Sequence, residues 1–173
     1  MNANGIDLYF GYFPGVIGKV TELHAVYYHE HWGFDLSFES QVGLELSEFM
    51  AKFDPERDGL WSAFSDGEFT GAVAIDGRPV QGEGARLRWF IVRPGFQGQG
   101  VGRLLIRQCV DFCRSKGYPK IHLWTFKGLD AARRLYERKG FRLCVEHEVA
   151  QWGTRIREQK FELVLKEEGT GSG

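Results

Sequence analysis

Glycine recurs at every second position in one short stretch of the chain, Gln97-Gly98-Gln99-Gly100-Val101-Gly102. An apolar run that predicts a strand precedes this stretch, and an amphipathic run that predicts a helix follows it. Glycine lets the backbone turn tightly and come close to a ligand, because no Cβ stands in the way. The amides and the dipole at the start of a helix favour negative charge. The turn therefore suits a pyrophosphate group, although a tight turn that binds nothing would have the same spacing.

Two other phosphate-binding motifs do not fit this turn. A P-loop ends in Gly-Lys-Ser/Thr, whereas Gly102 is followed by Arg103 and Leu104. The dinucleotide-binding folds use the order Gly-x-Gly-x-x-Gly, which this stretch lacks. Their glycine turn also opens the fold, whereas the present one follows three predicted strands. We therefore expect a phosphate site of another kind.

Aromatic and histidine side chains cluster in the run Tyr27-Tyr28-His29-Glu30-His31-Trp32-Gly33-Phe34. Such a run can wall a binding pocket, and packing between helices is the alternative. Two histidines raise the question of a metal. However, no His-Glu-x-x-His spacing and no set of cysteine and histidine ligands accompanies them. We therefore predict no metal site.

The three cysteines give no disulfide framework, because Cys109 and Cys113 lie on one predicted helix and Cys144 is far from both. We expect reduced thiols in a cytoplasmic protein, with a thiol nucleophile or half of a metal site as the alternative. No signal sequence is apparent in residues 1–9, and no apolar run approaches the roughly 20 residues that span a bilayer. Lys and Arg number 22 against 23 Asp and Glu, a net charge of −1. We therefore predict no membrane or nucleic-acid partner, and a monomer or homodimer.

The chain of 173 residues suits a single α/β domain over 1–166, because a domain of this size buries roughly 70% of its unfolded surface. Residues 167–173 are predicted to form a flexible tail. Apolar spacing predicts four helices, over 20–32, 37–53, 100–116 and 130–139. Period-two patterns and turn residues predict six strands, over 60–65, 69–75, 85–93, 120–125, 141–150 and 155–165. This order is that of one mixed sheet with helices on both faces.

The glycine turn and one later run resemble the motifs of a known superfamily. Gln97-x-x-Gly100-x-Gly102, with Val92-x-Pro94 before it, resembles the acyl-CoA signature of the GNAT superfamily of N-acetyltransferases. The run Ala132-Arg133-Arg134-Leu135-Tyr136-Glu137-Arg138-Lys139-Gly140-Phe141 resembles the second motif of that superfamily, at the expected distance. The predicted element order matches over roughly 16–165. The resemblance implies a single mixed, largely antiparallel sheet in which a central pair of parallel strands splays apart.

The resemblance also implies acetyl-CoA as cofactor and a place for each part of it. The main chain of Phe90, Ile91 and Val92 would pair with the pantetheine arm like an extra strand. Backbone amides of the turn would hold the pyrophosphate, over Gln97, Gly98, Gln99, Gly100, Val101, Gly102 and Arg103. The first two helices of such a fold frame an acceptor pocket. The substrate-binding candidates are Tyr28, His31, Trp32, Trp89 and Thr125.

Tyr136 is the catalytic candidate by the same resemblance, as the tyrosine that protonates the departing thiolate. A phenol near pKa 10 and a thiol near 8.5 make full proton transfer uphill by roughly 2 kcal/mol, so a strong hydrogen bond is one alternative. Packing beside Phe141 is another. The sequence does not name the general base, for which the candidates are Glu30, His31, Glu39 and His122. Leu129 stands where many relatives carry an asparagine, so one usual contact to the cofactor is missing.

These observations predict an N-acetyltransferase that moves an acetyl group directly from acetyl-CoA to a primary amine of a small molecule, an amino acid or a protein. Two alternatives stay open: a non-catalytic module that binds or senses acyl-CoA, and a partner-binding domain whose glycine turn is only structural. A narrower resemblance is to the acetyltransferase half of bacterial proteins fused to a MarR-type regulator. It rests on Leu123-Trp124-Thr125 and on Trp152-Gly153.

Overall fold

The structure is a computed structural model that describes residues 5–78 and 84–165. Within these residues the strands are β1 (Ile6–Phe10), β2 (Gly59–Ser65), β3 (Glu68–Asp76), β4 (Ala85–Val92), β5 (Lys120–Phe126), β6 (Arg142–Gln151) and β7 (Thr154–Val164). The helices are α1 (Val16–Trp32), α2 (Leu36–Ala51), α3 (Val101–Lys116) and α4 (Asp130–Arg138), and a short 3-10 turn occupies Pro94–Phe96. The predicted tail, 167–173, lies outside the described residues.

All the described strands form one open sheet in the order β1-β2-β3-β4-β5-β7-β6. Only β4 and β5 run parallel, and every other neighbouring pair is antiparallel. Successive side chains of a strand point to opposite faces, and β3 shows both cores. Ala72 and Ala74 pack with α1 and α2, whereas Val73 and Ile75 pack with α3. The predicted mixed sheet with helices on both faces is therefore confirmed.

Strand β1 is an element that the sequence pattern does not predict. It pairs with β2 at the edge of the sheet, from Ile6 opposite Ser65 to Phe10 opposite Trp61. Its run Ile-Asp-Leu-Tyr-Phe does not alternate regularly, and Ile6 is its one buried residue. Pairing with a distant segment, which local spacing does not record, therefore decides its structure.

Helix α1 begins at Val16, four residues earlier than predicted. Val16 is buried in one apolar cluster with Val20 and Leu46, so packing against α2 extends the helix at its start. The helix ends as predicted, because Gly33 has a φ of 70° and its amide bonds to the carbonyl of His29. None of the described helices combines the length and the apolar character needed to cross a membrane.

The parallel pair at the centre of the sheet diverges soon after it starts. β4 and β5 are paired only through Ala85 with Ile121 and Arg86 with His122. On the other side of β4, two residues, Trp89 and Phe90, stand opposite one residue of β3, which is a β-bulge. Trp89 takes a φ of 49°, which is rare for a bulky residue. Past the first two residues, the edge of β4 that faces β5 is left without strand pairing among the described residues.

Candidate active site

The divergence of β4 and β5 opens a cleft with a volume of about 930 Å³. We divide its lining into two parts. The glycine half consists of residues 90–92 of β4, the turn 97–103 and α4. The aromatic half consists of the lining residues of α1 and α2, residues 86–89 of β4, residues 124–126 of β5, and the lining residues of the β6–β7 turn and of β7. The two halves meet at the bulge in β4.

Backbone geometry explains the glycines of the turn. Gly98 and Gly100 have φ values of 77° and 90°, a left-handed conformation that residues with a Cβ rarely adopt. Gly102 is required by close packing, since a Cβ there would lie 2.8 Å from Leu135 Cδ1 and 3.2 Å from Phe90 Cζ. Helix α3 therefore begins directly beside β4 and α4, with Gly100 as its N-cap. The amides of its first turn have no partner within the helix and are available to an anion.

Most of the residues predicted to bind the cofactor line this cleft. They are Phe90, Ile91, Val92, Gln97, Gly98, Gly100, Gly102 and Arg103. Two others do not line it. The side chain of Val101 is 1% exposed and packs in the core beneath α3, and Gln99 donates from Nε2 to the carbonyl of Gly95 at 3.2 Å. Only the main chain of these two residues is therefore left for a ligand.

Arginine side chains give the glycine half a local positive charge. Arg103 follows from the glycine motif, but Arg134 and Arg138 were not predicted to belong to the site, and they line it too. They are four residues apart on α4, which places them on one face of that helix. The spacing is visible in the sequence, whereas the fact that this face meets the glycine turn depends on the fold. A net charge of −1 for the whole chain conceals this cluster.

Tyr136 lies on the α4 side of the cleft and is 5% exposed. Its ring centroid is 5.9 Å from those of Phe90 and Phe141 and 6.1 Å from that of Phe161. Burial, and to a smaller extent the neighbouring Tyr28, raises the pKa of Tyr136 well above its usual value. The phenol therefore stays protonated at physiological pH. The Tyr136 side chain thus packs beside Phe141 and also lines the cleft.

A continuous wall of rings forms the aromatic half. Tyr28 stacks on Phe34 with centroids 5.6 Å apart and lies 5.8 Å from Phe126. Trp32 meets the same Phe126 ring edge to face at 4.9 Å. Every residue predicted to bind the substrate lines this half: Tyr28, His31, Trp32, Trp89 and Thr125. Burial raises the pKa of Tyr28, so its hydroxyl is protonated at physiological pH.

Histidines of α1 are held by the backbone. The ring nitrogen Nδ1 lies 2.8 to 2.9 Å from a carbonyl oxygen in three cases, those of His24 with Val20, His29 with Phe34 and His31 with Tyr27. His24 lines the cleft and is 5% exposed. Burial lowers the pKa of His24 to about 4, so its ring is neutral at pH 7. With a proton on Nδ1 for the carbonyl, Nε2 of this ring is an acceptor.

The four candidates for the general base differ in whether they line the cleft. His31 lines the cleft. Glu30 and Glu39 are exposed and lie outside its lining. His122 is 2% exposed on β5 and also lies outside the lining. The geometry therefore leaves His31 as the one of these four that can meet a ligand directly.

Charged side chains that the sequence patterns do not single out also line the aromatic half. They are Glu45, Arg86, Arg88 and Glu158. The guanidinium of Arg88 donates to Glu45 Oε2 at 2.6 Å and lies 4.1 Å from the ring centroid of Trp89. Which face of β4 each arginine takes is set by strand pairing and by the bulge. Short-range spacing does not carry that information.

The turn between β6 and β7 packs on the junction of α1 and α2. The amide of Asp35 donates to the carbonyl of Trp152 at 3.0 Å, and Trp152 Nε1 donates to Gln41 Oε1 at 2.9 Å. Gly153 is needed because a Cβ there would lie 2.7 Å from Asp35 Oδ2. This contact joins two segments more than a hundred residues apart in sequence and completes the aromatic half. Leu129, at the start of α4, adds an apolar side chain to the same cleft.

A comparison with known families decides the class of this cleft. The chain matches the Acetyltransferase (GNAT) family over residues 18–141, a stretch that includes the glycine half and all of the aromatic half except its lining residues on the β6–β7 turn and on β7. The chain belongs to the GNAT family. As a GNAT protein it is an acyl-CoA-dependent N-acetyltransferase, and its cofactor is acetyl-CoA.

Similar GNAT sequences carry different names. An uncharacterised N-acetyltransferase of Schizosaccharomyces pombe is 32% identical over 117 residues, which are 66% of this chain and 70% of that protein. A mycothiol acetyltransferase of Beutenbergia cavernae is 30% identical over 64% of this chain and 36% of its own length. An N-acetylaspartate synthetase of Danio rerio is 32% identical over 54% of this chain and 33% of its own length. The chain thus matches only about a third of the length of the last two.

Solved structures share the GNAT fold over nearly the whole chain. The Salmonella typhimurium protein yncA, solved with its cofactor acetyl-CoA, has a TM-score of 0.71 at 17% identity and covers 98% of both chains. The ribosomal-protein-S18-alanine N-acetyltransferase of Escherichia coli has a TM-score of 0.68 at 19% identity and covers 97% of this chain and 99% of its own. At these identities the likeness shows the fold alone.

Proposed function

We propose that this GNAT enzyme transfers the acetyl group directly to a primary amine, with the donor in the glycine half and the acceptor in the aromatic half. The observation that carries the proposal is that both halves line one cleft and meet at the bulge of β4. Two substrates bound there lie side by side, which direct transfer requires. The amine belongs to a small molecule, an amino acid or a protein.

Direct transfer is supported by the state of the thiols. Cys109 and Cys113 are buried on α3, outside the cleft lining. Burial raises the pKa of Cys113 to about 12 and raises that of Cys109 as well. Thiols with such pKa values are poor nucleophiles at pH 7, because the thiolate is the reactive form. Cys144 is exposed and also lies outside the lining.

The residues of the glycine half fit the chemical groups of coenzyme A. The unpaired edge of β4 over Phe90, Ile91 and Val92 can bond to the amides of the pantetheine arm. The amides of the turn 97–103 suit the pyrophosphate. Arg103, Arg134 and Arg138 add positive charge for the phosphate groups. When bound, acetyl-CoA supplies the activated acetyl group as a thioester.

Tyr136 is assigned to the leaving group. Its raised pKa makes complete proton transfer to a thiolate more unfavourable than the roughly 2 kcal/mol expected from ordinary values. A protonated phenol still donates a strong hydrogen bond to a developing thiolate. We therefore assign Tyr136 as a hydrogen-bond donor that stabilises the departing sulfur.

The aromatic half is assigned to the acceptor amine. An amine with a pKa near 10.4 must lose a proton before it attacks, at a cost of about 4.6 kcal/mol at pH 7. Rings such as Tyr28 and Trp32 exclude water and so lower the pKa of a bound ammonium group. His24 is neutral and offers Nε2 as an acceptor for an amine hydrogen.

Calorimetric titration with acetyl-CoA tests the cofactor site. We expect micromolar binding to the wild type and none to Gly100→Glu, which places a carboxylate at the phosphate turn. Gly100→Asn adds a side chain without charge at a position whose left-handed conformation asparagine tolerates, so it should weaken binding less than Gly100→Glu. Gly95→Glu is the matched charge control, because a Cβ at Gly95 meets no atom within 4 Å and the residue lies outside the cleft lining. Both controls should bind acetyl-CoA.

Catalysis is tested by the release of free thiol when a panel of primary amines is added to the protein with acetyl-CoA. Thiol release with at least one amine supports transfer. Tight binding without release on any amine would instead favour the non-catalytic acyl-CoA-binding module. Failure of the wild type to bind acetyl-CoA would contradict the assignment of the glycine half.

Three finer assignments complete the proposal. A cytoplasmic location is supported by the free state of all three cysteines. We also propose that the protein is a monomer or a homodimer. The resemblance to the acetyltransferase half of MarR-fused bacterial proteins rests on the residues around Trp124 and Trp152, both of which line the aromatic half.

A further inference from the structure

Two arginines lie side by side on one face of β4, in the aromatic half. Arg86 and Arg88 are two residues apart, so their side chains point to the same face of the sheet. Ala85 and Leu87 point to the other face and are buried in the core with α3. Both arginines line the cleft. Their position precedes the bulge, on the side of the cleft away from the glycine turn.

Arg88 is held by acidic neighbours. It donates to Glu45 Oε2 at 2.6 Å, and its Nη1 lies 3.5 Å from Asp76 Oδ2. The Arg88 side chain is 9% exposed, so it is a largely buried cation. Asp76 is shared, because Arg78 contacts the same oxygen at 2.6 Å. The carboxylates of Glu45 and Asp76 thus already pair with the guanidinium groups of Arg88 and Arg78.

Arg86 has no such neighbour. Its Nε is buried and has no hydrogen-bond partner in residues 5–78 and 84–165. Across the same residues it makes no ion pair. Burial, and next to it the charge of Arg86, lowers the pKa of Arg88, which indicates that the two guanidinium groups repel each other. Among the residues that the structure describes, this corner of the cleft therefore carries one guanidinium group without an acidic partner.

A carboxylate is the group that this corner suits. A guanidinium binds a carboxylate through parallel hydrogen bonds, which satisfies its donors and compensates the charge. Arg88 and Arg86 precede Phe90 by two and four residues, or about 7 and 13 Å along the strand. Glu158 lines the same half and offers a partner for an ammonium group. Both signs of charge are thus present, as a zwitterion requires.

We propose that the acceptor is an amino acid and that Arg86, next to Arg88, binds its carboxylate. The proposal rests on the acetyl transfer proposed above and narrows its acceptor. It also assigns to Arg86 a role in specificity: the residue orients the acceptor and takes no part in bond making. A peptide amino terminus or a simple alkylamine lacks the carboxylate and is a poorer substrate.

Matched acceptors test the substrate class. Thiol release is measured with each common L-amino acid and with its carboxamide, which keeps the amine and side chain and removes the negative charge. We expect kcat/KM for the best amino acid to exceed that for its carboxamide at least tenfold. Equal or faster release with the carboxamides would overturn the proposal and leave acetyl transfer itself in place. No release with any amine would overturn both.

Variants of Arg86 test its assigned role in binding the carboxylate. Arg86→Met keeps an unbranched side chain without charge, and we expect it to raise KM for the amino acid at least tenfold. Its kcat/KM for the carboxamide should fall much less than that for the amino acid, because the carboxamide has no charge for Arg86 to compensate. Arg86→Lys should recover part of the preference for the carboxylate. Arg107→Met, exposed on α3 and outside the cleft lining, is the matched control.

The deciding quantity is the ratio of kcat/KM for the amino acid to kcat/KM for its carboxamide. An unchanged ratio in Arg86→Met would show that Arg86 does not bind the carboxylate. A titration with acetyl-CoA shows that each variant is folded, since Arg86 does not belong to the glycine half. If Arg86→Met fails to bind acetyl-CoA, Arg86→Lys and the matched acceptors on the wild type still decide the question.

Discussion

The two halves of the cleft are built in different ways. The glycine half comes mainly from one continuous segment, 90–103, together with α4, and it offers a ligand mainly backbone groups. The aromatic half takes side chains from α1, α2, β4, β5 and the β6–β7 turn, which are far apart in sequence. A site made of backbone needs a particular chain geometry, and short-range spacing encodes that geometry. A site made of side chains needs particular elements to meet, and only the fold decides that.

The difference extends to the chemistry of each half. A pyrophosphate and a pantetheine arm are the same for every acyl-CoA, so a fixed backbone site serves any enzyme of this kind. The acceptor differs from enzyme to enzyme, as the names of the GNAT relatives indicate. Side chains of the aromatic half such as Arg86 and Arg88 can set the acceptor without disturbing the donor site. We therefore expect mutations in the two halves to have separable effects.

The largest effect is expected at Gly102. In Gly102→Leu the side chain would overlap Leu135 and Phe90, so α3 must move away from β4 and α4. We expect acetyl-CoA binding to weaken by about 100-fold or more and the free energy of unfolding to fall by about 1–3 kcal/mol. Calorimetry and urea denaturation measure the two quantities.

Two variants control for this change. Gly18→Leu adds the same side chain to α1, where a Cβ meets no atom within 4 Å. Gln99→Ala removes a side chain of the turn that is bonded to Gly95 and does not line the cleft. Both should bind acetyl-CoA like the wild type. A folded Gly102→Leu with unchanged affinity would refute the backbone site.

The same contrast shows what the sequence can predict. The glycine turn and helix α3 follow from local spacing, because their structure depends on neighbours in the chain, whereas Tyr136 was singled out by the resemblance to the second motif of the superfamily. Arg86 and Arg88 do not follow, since their facing depends on the pairing of β3 with β4 and on the bulge at Trp89. Strand β1 was not predicted for a related reason: its partner β2 lies about fifty residues away. Long-range pairing thus separates what was predicted from what was not.

The next effect concerns a titratable group of the aromatic half, His24. Its pKa is lowered by burial to about 4, so between pH 6.5 and 4 the unfolded chain binds a proton that the folded chain does not. The free energy of unfolding therefore decreases as the pH falls from 6.5 towards 4, because protonation of His24 favours the unfolded chain. Between pH 7 and 4.5 we expect a loss of roughly 2 kcal/mol from this residue.

Urea denaturation of the wild type and of His24→Gln at the two pH values measures this loss. The difference in the free energy of unfolding between pH 7 and 4.5 should shrink by that amount in the variant, since glutamine does not titrate. His147→Gln makes the same replacement at an exposed position and is the control for the loss of a histidine as such. If His24→Gln and the wild type lose stability equally, the ring of His24 is not a buried neutral group.

The smallest effect compares two tyrosines that line opposite halves, the buried Tyr136 and the half-buried Tyr28. Tyr136→Phe removes the hydrogen bond proposed for the departing sulfur, so we expect kcat to fall about tenfold or more with acetyl-CoA affinity intact. Tyr28→Phe removes a hydroxyl from the acceptor wall and should change mainly KM for the amine. Because burial raises the pKa of both phenols, neither loss should depend on pH between 6 and 9. Steady-state kinetics over that range measures both variants. If kcat falls equally in both, the division of the cleft into a donor and an acceptor half is wrong, because a hydroxyl on either side would then serve the same chemical step.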